Sequence, residues 1–314
     1  MKKLSSNNRK IMYIRAGGVL LTLTLLVYII NSQGWGEIWA AMLQVKLIYL
    51  ILAFIAMTFS RLTIAGRWYA LLAVTEVDIS LYEAVRLTFA GLFASNFLPT
   101  TVGGDVIRFG GATRQKHDAA IVGASLIVDR IIGMSGMFIV FLGGSAYYLK
   151  DWILLDPPPG LSSMGIFVTN KWLVKTWHKI QAGSSRVLQS FRYWTTHPRA
   201  VIVSFLLTGL HMLCLYSAID FLLLGLGDDL SLWFVGTLWS LIYFVTLLPI
   251  SINGYGLQEV SLTFALTNIG GISFRHSLAI ALLIRTLLII TSLPGAVFLP
   301  GIVASKQRDL RISG

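Results

Sequence analysis

Asn96-Phe97-Leu98-Pro99-Thr100-Thr101-Val102-Gly103-Gly104-Asp105-Val106-Ile107-Arg108 sets a proline, two glycines, an aspartate and an arginine between long apolar runs. Proline removes an amide donor and fixes φ, glycine admits backbone conformations that other residues avoid, and a helix restarting after the break begins with bare amides. The stretch therefore reads as a broken helix, which at membrane depth needs protein or water around it. The apolar part ahead of it, Leu87 to Phe97, is shorter than the roughly 20 residues of a full crossing. That favours a half-helix or a re-entrant segment, although spanning and folding back both stay open.

A second stretch repeats the pattern: Leu248-Pro249-Ile250-Ser251-Ile252-Asn253-Gly254-Tyr255-Gly256-Leu257-Gln258-Glu259. Leu98-Pro99 matches Leu248-Pro249, Gly104 matches Gly254, and an acidic residue follows each, Asp105 and Glu259. An apolar run with an internal arginine comes later in both halves, Arg130 and Arg285. Paired Gly/Pro interruptions in two halves of a hydrophobic chain point to a binding site of the transporter type.

The rest of the chain supplies the setting. Of its 314 residues 55% are hydrophobic and only 12% charged, and the mean hydropathy is +0.74. Such a chain is an all-α, polytopic helical membrane protein, for which we expect about six to eight crossings. The formal net charge of +11 lies at the ends of apolar runs and in a few loops. That is the pattern of positive-inside topology and contact with anionic lipid, and it argues against nucleic acid as partner. The single cysteine, Cys214, excludes an internal disulfide or a cysteine-based zinc site.

Lys2, Lys3, Arg9, Lys10 and Arg15 precede a first crossing from Ala16 to Ile30. The basic tail with Lys306, Arg308 and Arg311 matches it, so both termini are expected in the cytoplasm and the protein in the cytoplasmic membrane. Further apolar runs extend over Leu47–Leu72, Ala119–Leu149, Ala200–Leu224, Leu232–Leu248 and Leu278–Val303. In the first of these, Arg67 with Trp68 and Tyr69 suits an interfacial belt, and Arg61, deeper, either snorkels to the headgroups, the preferred reading, or faces inward. We expect one integral membrane domain: residues 1–149 with the break at 96–108, a basic amphipathic connection at 150–199, and residues 200–314 with the break at 248–259. The connection reads as an interfacial helix or as a solvated loop over the bundle.

At each break, helix amides and nearby arginines offer what proteins use to hold phosphate. The candidate binding residues are Arg108, Arg130 and Arg285 with Gly103, Gly104, Asn253, Gly254 and Gly256. Asp105, Asp129 and Glu259 are candidates for charge or proton coupling. Structural roles compete: Asp105 and Glu259 suit the first turn of a helix, and Asp129, Arg130 and Arg285 suit interhelical pairs. Asp129 and Arg130 point about 100° apart on a helix, so each is expected to pair elsewhere. The five histidines lack metal-ligand spacing, and neither a nucleophile elbow nor a P-loop is present, so neither metal, cofactor nor enzymatic activity is expected.

The two motifs, with Asp129-Arg130-x-x-Gly133, resemble the lysylphosphatidylglycerol synthase transmembrane-region family, flippase-like integral membrane proteins, over nearly the whole chain. In full-length synthases this region is associated with moving aminoacylated phosphatidylglycerol, while a C-terminal domain transfers the amino acid. That domain has no counterpart before Gly314, so the resemblance implies a stand-alone member without aminoacyl transfer. The second motif differs in Asn253, where a Pro-Gly-Gly pattern is expected, and in Glu259 in place of Asp-x-x-Arg.

The expected function is lipid translocation, the substrate being an anionic phospholipid or polyprenyl phosphate held at a midplane site. An enzyme or enzyme subunit acting on membrane lipids and docking a partner through residues 171–199, or a small-solute or ion transporter, are the alternatives. A partner enzyme or a homo-oligomer is compatible with each.

Overall fold

Ser80 and Ser231 each accept a hydrogen bond at 3.2 Å from the backbone N–H three residues on, Glu83 and Phe234, the usual serine N-cap. Each starts a helix of 15 residues. In the computed structural model, which describes residues 35–98, 103–115, 117–148, 192–247 and 253–302, these two helices hold corresponding places in two halves of the chain. The expectations for the first crossing, for nearly all of the 150–199 connection and for the C-terminal tail lie outside the described residues.

The helices are α1 (Trp35–Gln44), α2 (Leu47–Leu72), α3 (Leu81–Ser95), α4 (Gly103–Arg114), α5 (Ala119–Tyr148), α6 (Arg192–Thr196), α7 (Pro198–Leu226), α8 (Leu232–Thr246), α9 (Leu257–Asn268) and α10 (Phe274–Ser292). Residues 294–302 form a further helix, and the described residues contain no strand. The fold is therefore all-α, as expected. Four helices, α2, α5, α7 and α10, are long and apolar enough to cross a membrane. On α2 the outward face carries Ile48, Ile51, Phe54, Ile55, Phe59 and Leu62, all exposed, as a lipid-facing surface should be.

The short helices fold back. A Cβ on Gly91 of α3 would lie 2.6 Å from the carbonyl oxygen of Gly104 in α4, and Gly111 packs against Leu87. Those contacts run in opposite directions along the two helices, so α3 and α4 form an antiparallel hairpin. The same holds for α8 and α9, where Thr246 packs on Gly254 and Leu230 on Gly270. A helix of 15 residues reaches about 22 Å, short of an apolar core of about 30 Å. The described limbs on either side of the two breaks thus fold back on each other as re-entrant hairpins. The run Leu232–Leu248, which looked like a crossing, is one limb of the second. Likewise the run Leu278–Val303 is not one helix: α10 starts at Phe274, its cap Ser273 accepting from His276 N, and Pro294 opens a separate segment.

α2 and α7 lie antiparallel, since Lys46 N donates to Gly225 O at 3.5 Å and Ser204 Oγ donates to Arg67 O at 3.5 Å. Corresponding positions in the two halves are 151 apart, from 47 to 198 at the helix starts and from 80 to 231 at the caps. Ser60 and His211 have that separation too, and they touch: Ser60 Oγ and His211 Nδ1 share a hydrogen bond of 2.7 Å. Equivalent residues meeting on antiparallel helices mark a pseudo-two-fold axis across the helices, in the membrane plane. The repeat is therefore inverted.

The inversion sends the hairpins in from opposite faces. The open end of α3–α4, where Gln115 Nε2 donates to Glu83 Oε1 at 2.5 Å, shares a face with the start of α7, where Tyr193 Oη donates to Glu76 at 2.9 Å. The open end of α8–α9 lies with the end of α5, where Tyr148 and Ser231 share a hydrogen bond of 2.8 Å. Two apolar clusters flank the tips, one around α8, α9 and α10 with Leu238, Leu262 and Ile284, the other around α3 and α4 with Trp68, Leu87 and Ala112.

Candidate functional site

Polar residues recur on one face of α2 at Ser60, Thr63 and Arg67, and on one face of α7 at Ser204, Thr208 and His211. All but His211 are buried. Spacings of three, four and seven put each set on one helix face, and the antiparallel packing turns the two stripes toward each other. Arg67 Nη1 donates to Thr208 Oγ1 at 3.2 Å.

From this stripe a charged network extends. Arg67 Nε donates to Asp129 Oδ1 at 2.6 Å, and Arg108 Nη1 donates to Asp129 Oδ2 at 3.2 Å. Arg108 Nη1 also reaches Asp105 Oδ1 at 3.2 Å, while Arg130 pairs with the other oxygen of Asp105. Two carboxylates thus bind three guanidiniums. Asp129 is only 2% exposed, so two arginines around it replace the hydration that it loses. Gly133, one turn on, gives Arg67 its room: a Cβ there would lie 3.0 Å from Nη1. Arg108 also lies over the Trp68 ring, 4.3 Å from the centroid, a cation–π contact.

The second half has a smaller counterpart. Glu259, third residue of α9 as Asp105 is of α4, pairs with Arg285 of α10, and Arg285 Nη2 donates to Gly254 O at 3.3 Å. Arg285 lies 4.6 Å from the Tyr255 ring centroid. The backbone here needs the left-handed region, with φ of +48° at Asn253 and +75° at Gly256, the cap of α9.

Between the two networks lies a cavity of about 330 Å³. Arg61, Arg67, Arg108, Arg130 and Arg285 line it with Asp105, Asp129 and His211. The hairpin tips add Ser95 and Asn96 from one side and Thr246 and Asn253 from the other. Asn96 Nδ2 also donates to Ser292 Oγ at 2.9 Å, tying the first tip to α10.

The expected site residues divide accordingly. Arg108, Arg130, Arg285, Asp105, Asp129 and Asn253 come together at the cavity. Glu259 sits behind Arg285, 3% exposed. Gly103 and Gly104 pack the hairpin, a Cβ on either meeting Leu98 or Ser95 and Gly91. Gly254 offers its carbonyl to Arg285, and Gly256 shapes the turn. Asp129 and Arg130 pair with different partners, as their helical angle required.

Two residues are corrected. Arg67 does not sit in an interfacial belt but is buried against Asp129. Arg61 does not snorkel but lines the cavity, because the polar face of α2 is turned to α7 rather than to lipid. The seven-residue spacing of Ser60 and Arg67 carried that signal. His211, set aside as one of five scattered histidines, was missed for the same reason.

An inverted pair of re-entrant hairpins around a charged internal cavity defines a helical membrane protein of two pseudo-symmetric halves. The chain belongs to the family described as Lysylphosphatidylglycerol synthase TM region, which matches residues 15–295. No curated protein matches it.

Proposed function

We propose that the protein moves a phosphate-bearing lipid headgroup across the cytoplasmic membrane by alternating access, without chemistry on the lipid. One observation supports this above the others: five arginines line the cavity between the hairpin tips, and among the described residues no carboxylate pairs with Arg61. Three carboxylates, Asp105, Asp129 and Glu259, pair with the other four. An anion suits such a site, and Arg61 would donate to its oxygens.

The hairpins provide the moving parts. Each enters from its own face and ends at the cavity, so withdrawal of one tip at a time opens the site to one leaflet. The face bearing Arg114, Arg192 and Arg199 is the cytoplasmic one in this reading, and the turn with Asp228 and Asp229 the outer one.

The test is reconstitution into vesicles carrying headgroup-labelled phosphatidylglycerol or a labelled polyprenyl phosphate in one leaflet. Protein-dependent appearance of label in the other leaflet is expected for at least one of them. If all labelled lipids stay where they were placed, with and without a pH gradient, transport is excluded. A new lipid species in the extract would point to an enzyme instead.

A further inference from the structure

Corresponding residues of the two hairpins face the same cavity: Leu92 and Tyr243, Ser95 and Thr246, and Asn96 and Leu247 are each 151 apart, and all six line it. The walls they belong to differ in chemistry. The cavity's arginines and carboxylates, Arg285 excepted, stand on α2, α4 and α5 in the first half. The second hairpin contributes Trp239, Tyr243, Thr246, Asn253 and Gln258, which are rings, hydroxyls and amides without a charge.

Three of these groups are uncommitted. The Tyr243 hydroxyl and the side-chain amides of Asn253 and Gln258 form no hydrogen bond among the described residues and are not sealed in by protein, so whatever fills the cavity meets them. An amide side chain both donates and accepts, as a phenol hydroxyl does, and that is the complement of an alcohol. An ammonium only donates, and the carboxylates that would receive it are taken. Guanidiniums hold both oxygens of Asp129 and both of Asp105, while Glu259 lies behind Arg285. The cavity's volume of about 330 Å³ is near the low end of small-molecule pockets, about 300 to 1,000 Å³. A bare phosphate fills only part of it.

We propose that the second hairpin forms a subsite for an uncharged, hydroxyl-bearing group esterified to the phosphate, with Tyr243, Asn253 and Gln258 as the residues that select it. The phosphate meets the arginine wall of the first half, and the alcohol groups beyond it, those of glycerol, inositol or a sugar, exchange hydrogen bonds with the three side chains. This rests on the transport reading above and narrows it to a headgroup class. A bare phosphate leaves the second wall without a partner, and a cationic headgroup finds no open carboxylate and five arginines around it. Selection then comes from hydrogen bonds that a hydroxyl-free analogue cannot make, since each polar group left unpaired in an enclosed site weakens binding.

The test uses the purified protein in a nonionic detergent with short-chain lipids as ligands, read by direct titration and by thermal unfolding. Two matched series keep the same phosphodiester charge. In one, dihexanoyl phosphatidylinositol and phosphatidylglycerol are set against phosphatidylethanol; in the other, farnesyl phosphoglucose is set against farnesyl methyl phosphate. Wild type is expected to bind the hydroxylated member of at least one series about tenfold more tightly than its hydroxyl-free partner, on the order of one or two net hydrogen bonds. The series that responds tells a glycerophospholipid from a polyprenyl glycosyl phosphate. Tyr243→Phe and Gln258→Met, which remove polar atoms and keep the shape, should each erase most of that difference. Asn253→Gly should do the same, because glycine accepts the φ of +48° there.

Equal affinity within both series would overturn the inference. So would variants that weaken both members of a pair by the same factor, because the three residues would then serve the fold or the phosphate. Dihexanoyl phosphatidylethanolamine bound as tightly as phosphatidylglycerol would overturn it as well, by showing that an ammonium is accepted. In the vesicle assay, movement of labelled phosphatidylethanol as fast as that of phosphatidylglycerol defeats this inference and leaves lipid transport standing. Absence of any movement defeats transport itself.

Discussion

Asp129 shows how one side chain organises its surroundings. It lies on an apolar helix where a lone charge costs about 2.5 to 3.5 kcal/mol on the insertion scale, and it is stable there because Arg67 and Arg108 each take one of its oxygens. Removing the carboxylate strands Arg67, which pairs with no other carboxylate among the described residues, and leaves Arg108 with Asp105 alone. Asp129→Asn is therefore expected to lower stability by about 3 to 5 kcal/mol, measured as the unfolding transition in detergent. Pairing the loss with Arg67→Met should restore part of it, because the stranded charge is then gone. A double variant no more stable than Asp129→Asn would show that the Arg67–Asp129 pair contributes nothing of its own. Neither Arg67 nor Arg61 declares this role by residue type, since arginine in an apolar run serves an interface equally well. Only the position of Ser60, Thr63 and Arg67 on one helix face separates the two.

At the scale of elements, the hairpins depend on close backbone approach. α3 and α4 touch through Gly91 and Gly104, where any Cβ would meet a backbone carbonyl that cannot swing aside. Gly91→Ala is expected to destabilise by about 1 to 3 kcal/mol through overpacking. Gly110, on the same α4, has nothing within 4 Å of its would-be Cβ, so Gly110→Ala should be neutral or stabilising by up to about 1 kcal/mol from helix propensity. Comparing the two unfolding midpoints separates packing from propensity, and equal shifts would refute a glycine-mediated hairpin. Gly295 extends the same device, its would-be Cβ meeting the Phe89 carbonyl. α3 is thus fitted between α4 and the segment at 294–302 by glycines on both sides.

For the whole molecule, the inverted repeat makes a topological prediction. Asp78 and Asp229 are both exposed, one at the open end of each half, and the fold puts them on opposite faces. In a Cys214→Ser background, Asp78→Cys and Asp229→Cys should each react with an impermeant maleimide from one side only, and from different sides. Labelling from the same side would mean that the hairpins enter together and that the halves are not inverted. The repeat also explains why corresponding acids differ in partners: Asp105 meets two arginines and Glu259 one, because Asp129 on α5 has no acidic equivalent on α10. The halves share a backbone plan and differ in charge.

Composition and apolar periodicity were enough to determine an all-α membrane protein, since burial in lipid demands long apolar helices and leaves them plain in the sequence. Proline and glycine at 96–108 and 248–259 determined where those helices break, because each acts on its own backbone. What they did not determine was whether the chain crossed or turned back, since the masses of Leu and Val on either side suit both. That was decided by contacts between limbs distant in sequence, Gly91 on Gly104 and Thr246 on Gly254. The cavity's charge was decided the same way: the sequence supplied every arginine, and only the antiparallel packing of α2 on α7 turned Arg61 and Arg67 inward. Backbone chemistry is local and can be read in order, whereas the facing of a helix is a property of the pair.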